Sequence, residues 1–243
     1  MTRTPLADRL AEVGALSPQQ RDRLSGLAGR RVVLRRRTAL IHEGETATWF
    51  PVVEQGWLEH ERILADGRRC AVQVSLPGDL ADTVMPLTGR AQFTITATTD
   101  ARVHLVDAAG FMRLLHDDPA VARAFTGLQA VSECRARERL VALARMSAYE
   151  KLSFLCLELL SRLEAAGHAN GGGFELALSQ RTLGEVLGLH AVHVNRMFHR
   201  LEADGFIVRD GSFIRVVDRD ILADLVDFRP CHGWHACRPD DRS

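Results

Sequence analysis

Along the chain the spacing of apolar residues alternates between strand and helix periods. Between about Arg30 and Asp107 they fall in short β-rich runs: Arg31–Leu34, Trp49–Val53, Trp57–Leu64, Cys70–Leu76, Phe93–Ala97 and Arg102–Val106. Gly44, Gly56, Gly67 and Gly78 punctuate these runs, and Asp66-Gly67 marks a hairpin. Many short strands at regular spacing predict a small barrel or sandwich. From Ala108 to about Gly167 the period becomes helical. Ala108 to Leu115 reads as a short helix, and Pro119 opens a long one reaching about Arg145. Val121, Phe125, Leu128 and Val131 recur at helical spacing in its first half. That seam has two readings: a dimer contact, or packing on the molecule's own barrel. Residues 1–29 read as a helical lead-in, with Ser17-Pro18-Gln19-Gln20 as a capping box.

A break near Met146-Ser147-Ala148 precedes a strongly apolar helix, Leu152 to Leu163. After the glycine-rich turn Ala169–Gly173 and a short strand Phe174–Leu178 comes Ser179–Leu201, SQRTLGEVLGLHAVHVNRMFHRL. This segment predicts a helix-turn-helix. Leu183, Val186 and Leu187 face inward on the first helix. Gly184 sits where two helices must approach, and Gly188 where the turn needs positive φ. The second helix starts near His190, with Val192, Val194, Met197, Phe198 and Leu201 as its apolar positions. Phe206–Arg209 and Phe213–Val217 then flank Asp210-Gly211-Ser212, a strong hairpin signal. Helix-turn-helix plus hairpin makes a winged helix, which places the start of its second helix in the DNA major groove. Taken alone, the helix–Gly–helix stretch would also fit a helical hairpin inside another kind of domain.

Composition narrows the class. The chain is 243 residues long, 46% hydrophobic and 26% charged, an ordinary globular balance that allows two domains. No apolar run is long enough to span a bilayer, and no secretory h-region opens the chain, so no membrane partner is expected. Five scattered cysteines fit a reducing cytoplasm, the expected location. The formal net charge is zero, but His190 to Leu201 holds no acidic residue and includes Arg196 and Arg200. Such a focused basic edge suits specific reading with modest non-specific affinity. No nucleophile elbow, P-loop or HExxH motif is present, so no enzyme chemistry is expected.

A β-barrel, a long helix and a winged helix in this order resemble the Crp/Fnr family of bacterial transcription regulators. The resemblance spans about residues 20–228 and rests on Glu43-Gly44-Glu45, Gly56-Trp57-Leu58, Asp66-Gly67-Arg68, Leu76-Pro77-Gly78-Asp79-Leu80, Ala97-Thr98-Thr99-Asp100, Phe111 and the helix-turn-helix. It implies an α+β chain. A double-stranded β-helix (jelly-roll-like) sensor domain of the cyclic-nucleotide-binding type covers residues 30–116, and a dimerisation helix residues 117–146. A winged helix-turn-helix covers 147–228, and a tail follows over 229–243. It further implies a homodimer on a two-fold symmetric operator, with readers about 34 Å apart. A contact with RNA polymerase and an unidentified small-molecule effector at the barrel are also implied, with a hinge near Met146 re-aiming the readers.

Within that resemblance, the residues expected to meet DNA are Gln180 and Arg181 at the first helix, and His190, Ala191, Val192, His193, Asn195 and Arg196 at the second. Arg209, Ser212 and Arg215 lie on the wing. Arg196 is the candidate for a bidentate contact to guanine. The effector pocket would involve Gly78, Asp79, Leu80, Arg90, Gln92 and Phe93. The family's cyclic-nucleotide cassette pairs Gly-Glu-Leu with Arg-Ser-Ala or Arg-Thr-Ala. Here Asp79 is one methylene shorter, Arg90 falls one residue early and Phe93 replaces the small alanine, which argues against cyclic AMP. No cysteine precedes Cys70, so the oxygen-sensing branch's N-terminal iron–sulfur ligands are missing. No cofactor is expected. His60 or His104 could be axial haem ligands, though each reads better as an ordinary strand histidine. Cys231, His232, His235 and Cys237 are zinc-type side chains whose spacing matches no usual zinc module. A competing expectation is a small-ligand or metal-binding module whose winged helix serves protein contacts alone.

Overall fold

The computed structural model describes residues 4–231. The chain forms two compact units: one comprises the residues up to His60 with Val74–Arg135 and Cys231, the other Glu61–Gln73 with Ala136–Pro230.

The first unit opens with α1 (Pro5–Val13) and α2 (Pro18–Gly26), each with proline in its first turn. The expected capping box forms: the Ser17 hydroxyl accepts the Gln20 N–H, and the Gln20 side chain accepts the Ser17 N–H. The lead-in is not separate from the barrel, because Leu6, Ala7 and Leu10 of α1 belong to the barrel's core. Seven strands and a helical turn follow: β1 (Ala28–Leu34), β2 (Ala39–Ile41), β3 (Trp49–Gln55), β4 (Leu58–Ile63), β5 (Arg69–Ser75), α3 (Met85–Thr88), β6 (Thr94–Ala97) and β7 (Ala101–Asp107). They make two sheets, in the orders β1-β7-β3 and β2-β6-β4-β5. In β7, Ala101, Val103 and Leu105 turn inward while Arg102 points out, the period of two that a sheet with one wet face requires. Only three residues long, β2 escapes the sequence pattern.

Two helices close this unit. α4 (Ala108–Asp117) is capped by Asp107, which accepts the Gly110 N–H at 2.7 Å. α5 (Pro119–Arg145) then begins on Asp118, whose carboxylate accepts the Ala120 N–H at 3.1 Å and a Gln20 amide N–H at 2.9 Å. Phe125 meets Phe111 edge-on at 5.1 Å, and Phe111 meets Phe50 at 5.0 Å. Val121, Phe125 and Leu128 are therefore part of the barrel core, and Val131 is buried as well. The apolar seam packs on its own barrel, the second of its two readings, because a stripe this apolar gains most by covering the open side of the sheets. The exposed apolar residues of α5 lie further on, at Leu140, Val141 and Leu143.

In the second unit α6 (Ala148–Ala165) starts four residues before the expected Leu152, because Ser147 and Glu150 form a capping box. Every residue from Leu152 to Leu163 is buried, including Glu158 and Arg162. Glu158 accepts two hydrogen bonds at 2.8 Å from Arg139 and a third from Arg162 at 3.1 Å. Pairing of this fork geometry is what allows a charge to be buried. β8 (Gly173–Glu175), α7 (Gln180–Leu187), α8 (Ala191–Ala203), β9 (Ile207–Asp210), β10 (Phe213–Val216) and α9 (Arg219–Leu225) complete the unit. β10 lies between β8 and β9 in an antiparallel sheet.

Candidate nucleic-acid interface

The turn between α7 and α8 is built by two glycines. Gly188 ends α7 at φ 64°, ψ 36°, where its N–H reaches back to Gly184 and Glu185 carbonyls. A side chain there would strain the backbone. Gly184 has no room for one: a Cβ would lie 2.6 Å from the Leu189 carbonyl oxygen. The turn is thus as tight as the sequence required. Thr182, Leu183, Val186 and Leu187 of α7 are buried, as are Val194, Met197, Phe198 and Leu201 of α8. Val192, expected among the apolar inward positions, is instead 79% exposed. It stands in the first turn, two residues before Val194, where the inward stripe begins.

The exposed face of α8 therefore carries Ala191, Val192, His193, Asn195, Arg196, His199 and Arg200. His190 caps the helix without a side-chain hydrogen bond; the His193 N–H donates to the His190 carbonyl at 2.9 Å, and the Ala191 and Val192 N–H groups face outward for an anion. The basic residues of this face differ in how tightly they are held. Arg200 stacks on Tyr149 at 4.7 Å and approaches Asp204 at 3.6 Å. His199 lies 3.4 Å from Glu202. Arg196 has no side-chain partner among the described residues and is exposed. A guanidinium held on a rigid helix and left unpaired is available for a bidentate acceptor.

The remaining sites separate into free and occupied groups. Arg181 is exposed but bonded to Glu185 at 2.9 Å. Gln180 is half-buried, and its Oε1 has no hydrogen-bond partner among the described residues. On the wing, Arg209 is not a free contact: its guanidinium stacks on the Phe198 ring at 4.5 Å, and it faces Glu202 at 3.8 Å. Position 209 pairs with Ile214 across the hairpin, which turns its side chain back onto α8. Ser212 is exposed, and its hydroxyl donates to Glu175 at 2.6 Å. Arg215 is exposed and unpaired among the described residues, so it is the wing cation positioned for a phosphate.

Sequence reasoning missed Glu185. Its side chain is only 14% exposed and accepts from Arg181, from Arg69 and, at 3.1 Å, from the Ala71 N–H. The Glu61–Gln73 segment is thereby bound to α7 within the second unit. No local motif signals such a contact, because its partners stand 114 and 116 residues away.

In the barrel, the cassette-like residues differ in their surroundings. Gly78 turns at φ 89°, and Asp79 accepts the Leu76 N–H at 2.8 Å. Asp79 also lies 3.7 Å from the buried Arg9 of α1. Leu80 is a core residue. Arg90 and Gln92 are exposed, and Phe93 is half-buried. His60 is buried and hydrogen-bonded to Ser75 at 2.8 Å, and His104 pairs with Glu54 at 3.1 Å. Of the tail's zinc-type residues, Cys231 is described, whereas His232, His235 and Cys237 lie outside the described residues. Among the described residues no three His, Cys, Asp or Glu side chains are grouped to hold a metal. No helix there is long and apolar enough to cross a membrane.

A β-barrel of this topology joined to a tight helix-turn-helix, with an unpaired arginine on the second helix and a wing behind it, defines a DNA-binding regulator with a sensor-type barrel. Residues 31–118 match the cyclic nucleotide-binding domain family, and residues 154–225 match the Crp-like helix-turn-helix domain family. The chain is 32% identical over 190 residues to the nitrogen fixation regulation protein FixK of Bradyrhizobium diazoefficiens, covering 78% of this chain and 79% of that one. It is 28% identical over 177 residues to the transcriptional activator protein FnrL of Cereibacter sphaeroides, covering 71% and 70%. Its fold superposes on FixK2 from Bradyrhizobium japonicum with a TM-score of 0.70 at 25% identity, over 81% of this chain and 96% of that one. A CRP-family regulator from Thermus thermophilus, TTHB099, shares the fold at a TM-score of 0.63 and 19% identity, covering 82% and 98%. The chain belongs to the Crp/Fnr family of transcription regulators and is a DNA-binding member of it.

Proposed function

We propose that this chain is a cytoplasmic, homodimeric regulator that reads a two-fold symmetric operator through α8, with Arg196 as the base-reading residue. The observation that carries this reading is the exposed guanidinium of Arg196 on the open face of α8, without a side-chain partner among the described residues. Arginine in that setting matches the O6 and N7 acceptors of guanine. Val192, exposed one turn earlier, suits a thymine methyl group. His190, His193 and Asn195 flank these two, while the N-terminus of α8 and Arg215 supply phosphate contacts, joined by Arg181 where it exchanges Glu185 for a phosphate.

The barrel's signal is not a cyclic nucleotide in this reading. Asp79, which stands where the family's cassette carries its glutamate, is shared with Arg9 and with the Leu76 N–H. Arg90, which would have to neutralise the cyclic phosphate, has an exposed side chain.

The test is selection of bound duplexes from a random library with the purified full chain, followed by Arg196→Ala. A palindrome is expected to be enriched. The variant is expected to lose about 1–3 kcal/mol of binding and to relax specificity at one position in each half-site. Equal weakening on all sequences would make Arg196 a phosphate contact. Unchanged binding would remove it from the interface.

A further inference from the structure

Two cysteines that the regulator reading does not use are brought together from distant parts of the chain. Cys134 lies on the exposed side of α5, and Cys231 follows α9 at the end of the described chain. They are 97 residues apart in sequence, and their sulfurs are 2.6 Å apart. Both belong to the first unit. We propose that Cys134 and Cys231 form a reversible dithiol–disulfide site that is oxidised by a peroxide.

The backbone next to each cysteine is locally ordered. Cys134 is fixed by a long helix. Cys231 follows a locally anchored residue in the chain: the Phe228 N–H donates to the Ala223 carbonyl at 2.9 Å, and its ring meets Phe154 edge-on at 5.4 Å. Pro230 then fixes its own φ and holds Arg229 extended, so few conformers separate the anchor from Cys231. Little ordering is left to be done when the bond forms, since the sulfurs already lie 2.6 Å apart. Access is also suitable, since Cys134 is exposed and Cys231 half-buried. Cys156 supplies the contrast: it is buried, and burial pushes its thiol up to about 12, so it stays inert.

The reaction balances with one peroxide. The thiolate of one cysteine attacks a peroxide oxygen and breaks the O–O bond, giving a sulfenic acid and hydroxide. The second thiolate attacks the sulfenic sulfur, so that an S–S bond forms as the S–O bond breaks and the hydroxyl leaves. With protonation, two thiols and one hydrogen peroxide yield one disulfide and two waters. The bond would close a ring containing α6 to α9, and therefore the whole winged helix. In a reducing compartment such a bond is transient and reports oxidant.

The full-length protein, reduced and then treated with hydrogen peroxide, should lose two free thiols per chain while remaining one chain on a non-reducing gel. Peptide mapping should recover Cys134 joined to Cys231, and dithiothreitol should reverse the link. Cys134→Ser and Cys231→Ser should each abolish it, and Cys237→Ser should leave it intact. A Cys231–Cys237 link, a Cys134–Cys134 link between two copies, or oxidation of either residue to sulfinic acid without a link would overturn the assignment.

Discussion

Tyr149 is the single tyrosine of the chain, so its titration can be read without overlap. Burial, followed by its 2.8 Å hydrogen bond to Asp204, pushes its phenol up to about 12. A phenol whose folded value exceeds its unfolded value holds its proton more tightly when folded. Its contribution to stability is complete below about 10, the unfolded value, and is lost as pH rises from there through about 12. Tyrosinate absorbance should therefore develop near 12 in the native protein and near 10 in denaturant. Tyr149→Phe should abolish the signal and remove that part of the alkaline decline. Native titration near 10 would show that the Asp204 contact is not kept in solution. At this scale the sequence is least readable. Arg209 and Arg215 look equivalent as letters on the wing, yet one is stacked on Phe198 and the other has no side-chain partner among the described residues. The difference follows from which face of the hairpin each occupies, and that depends on register rather than residue type.

Elements were easier to read where a local rule forces them. The α7–α8 turn follows from Gly184 and Gly188, and the start of α2 from its capping box. β2 and α9 escaped because three and seven residues carry too little periodic signal. The close approach at the turn gives a direct test. Alanine at position 184 would gain about 1 kcal/mol in helix propensity. Its Cβ must also clear a backbone oxygen 2.6 Å away, which costs about 1–3 kcal/mol of distortion. The second effect should win. Gly184→Ala is expected to lower the unfolding midpoint in urea and to weaken operator binding; an unchanged or raised midpoint would mean that the turn yields. A second element-scale prediction concerns Glu185, which no sequence pattern marked. Glu185→Ala leaves the Ala71 N–H without its acceptor and removes the Glu185 carboxylate from Arg69. A loss of about 1–3 kcal/mol is expected, with faster hydrogen exchange at Ala71. Glu185→Gln, which keeps a carbonyl acceptor, should restore protection at Ala71 but not the full stability.

For the molecule as a whole, the decisive quantity is how many readers meet DNA at once. The order of barrel, long helix and winged helix was legible in sequence because each part has its own period. The dimer face was not, because the seam from Val121 to Val131 satisfies the same helical spacing whether it meets a barrel or a second copy. Burial of that seam leaves Leu140 and Val141, 65% and 53% exposed, as the apolar candidates on the free part of α5. Exposed aliphatic side chains on a helix otherwise flanked by Glu133 and Arg137 suit a helix from another copy. A zero net charge raises the stakes, since bulk attraction to phosphate supplies little affinity to a single reader. Joining two readers makes the second contact intramolecular, an advantage of about 10²–10⁴. Glutamate at both positions, Leu140→Glu with Val141→Glu, places like charges at a two-fold contact while leaving the barrel core intact. The double variant should sediment as a monomer and lose about 10²–10⁴-fold in affinity for the full palindrome. Its affinity for an isolated half-site should stay near that of one unmodified reader. A variant that remains dimeric would place the contact elsewhere on the chain, and a monomeric variant with undiminished palindrome affinity would show that each reader binds alone.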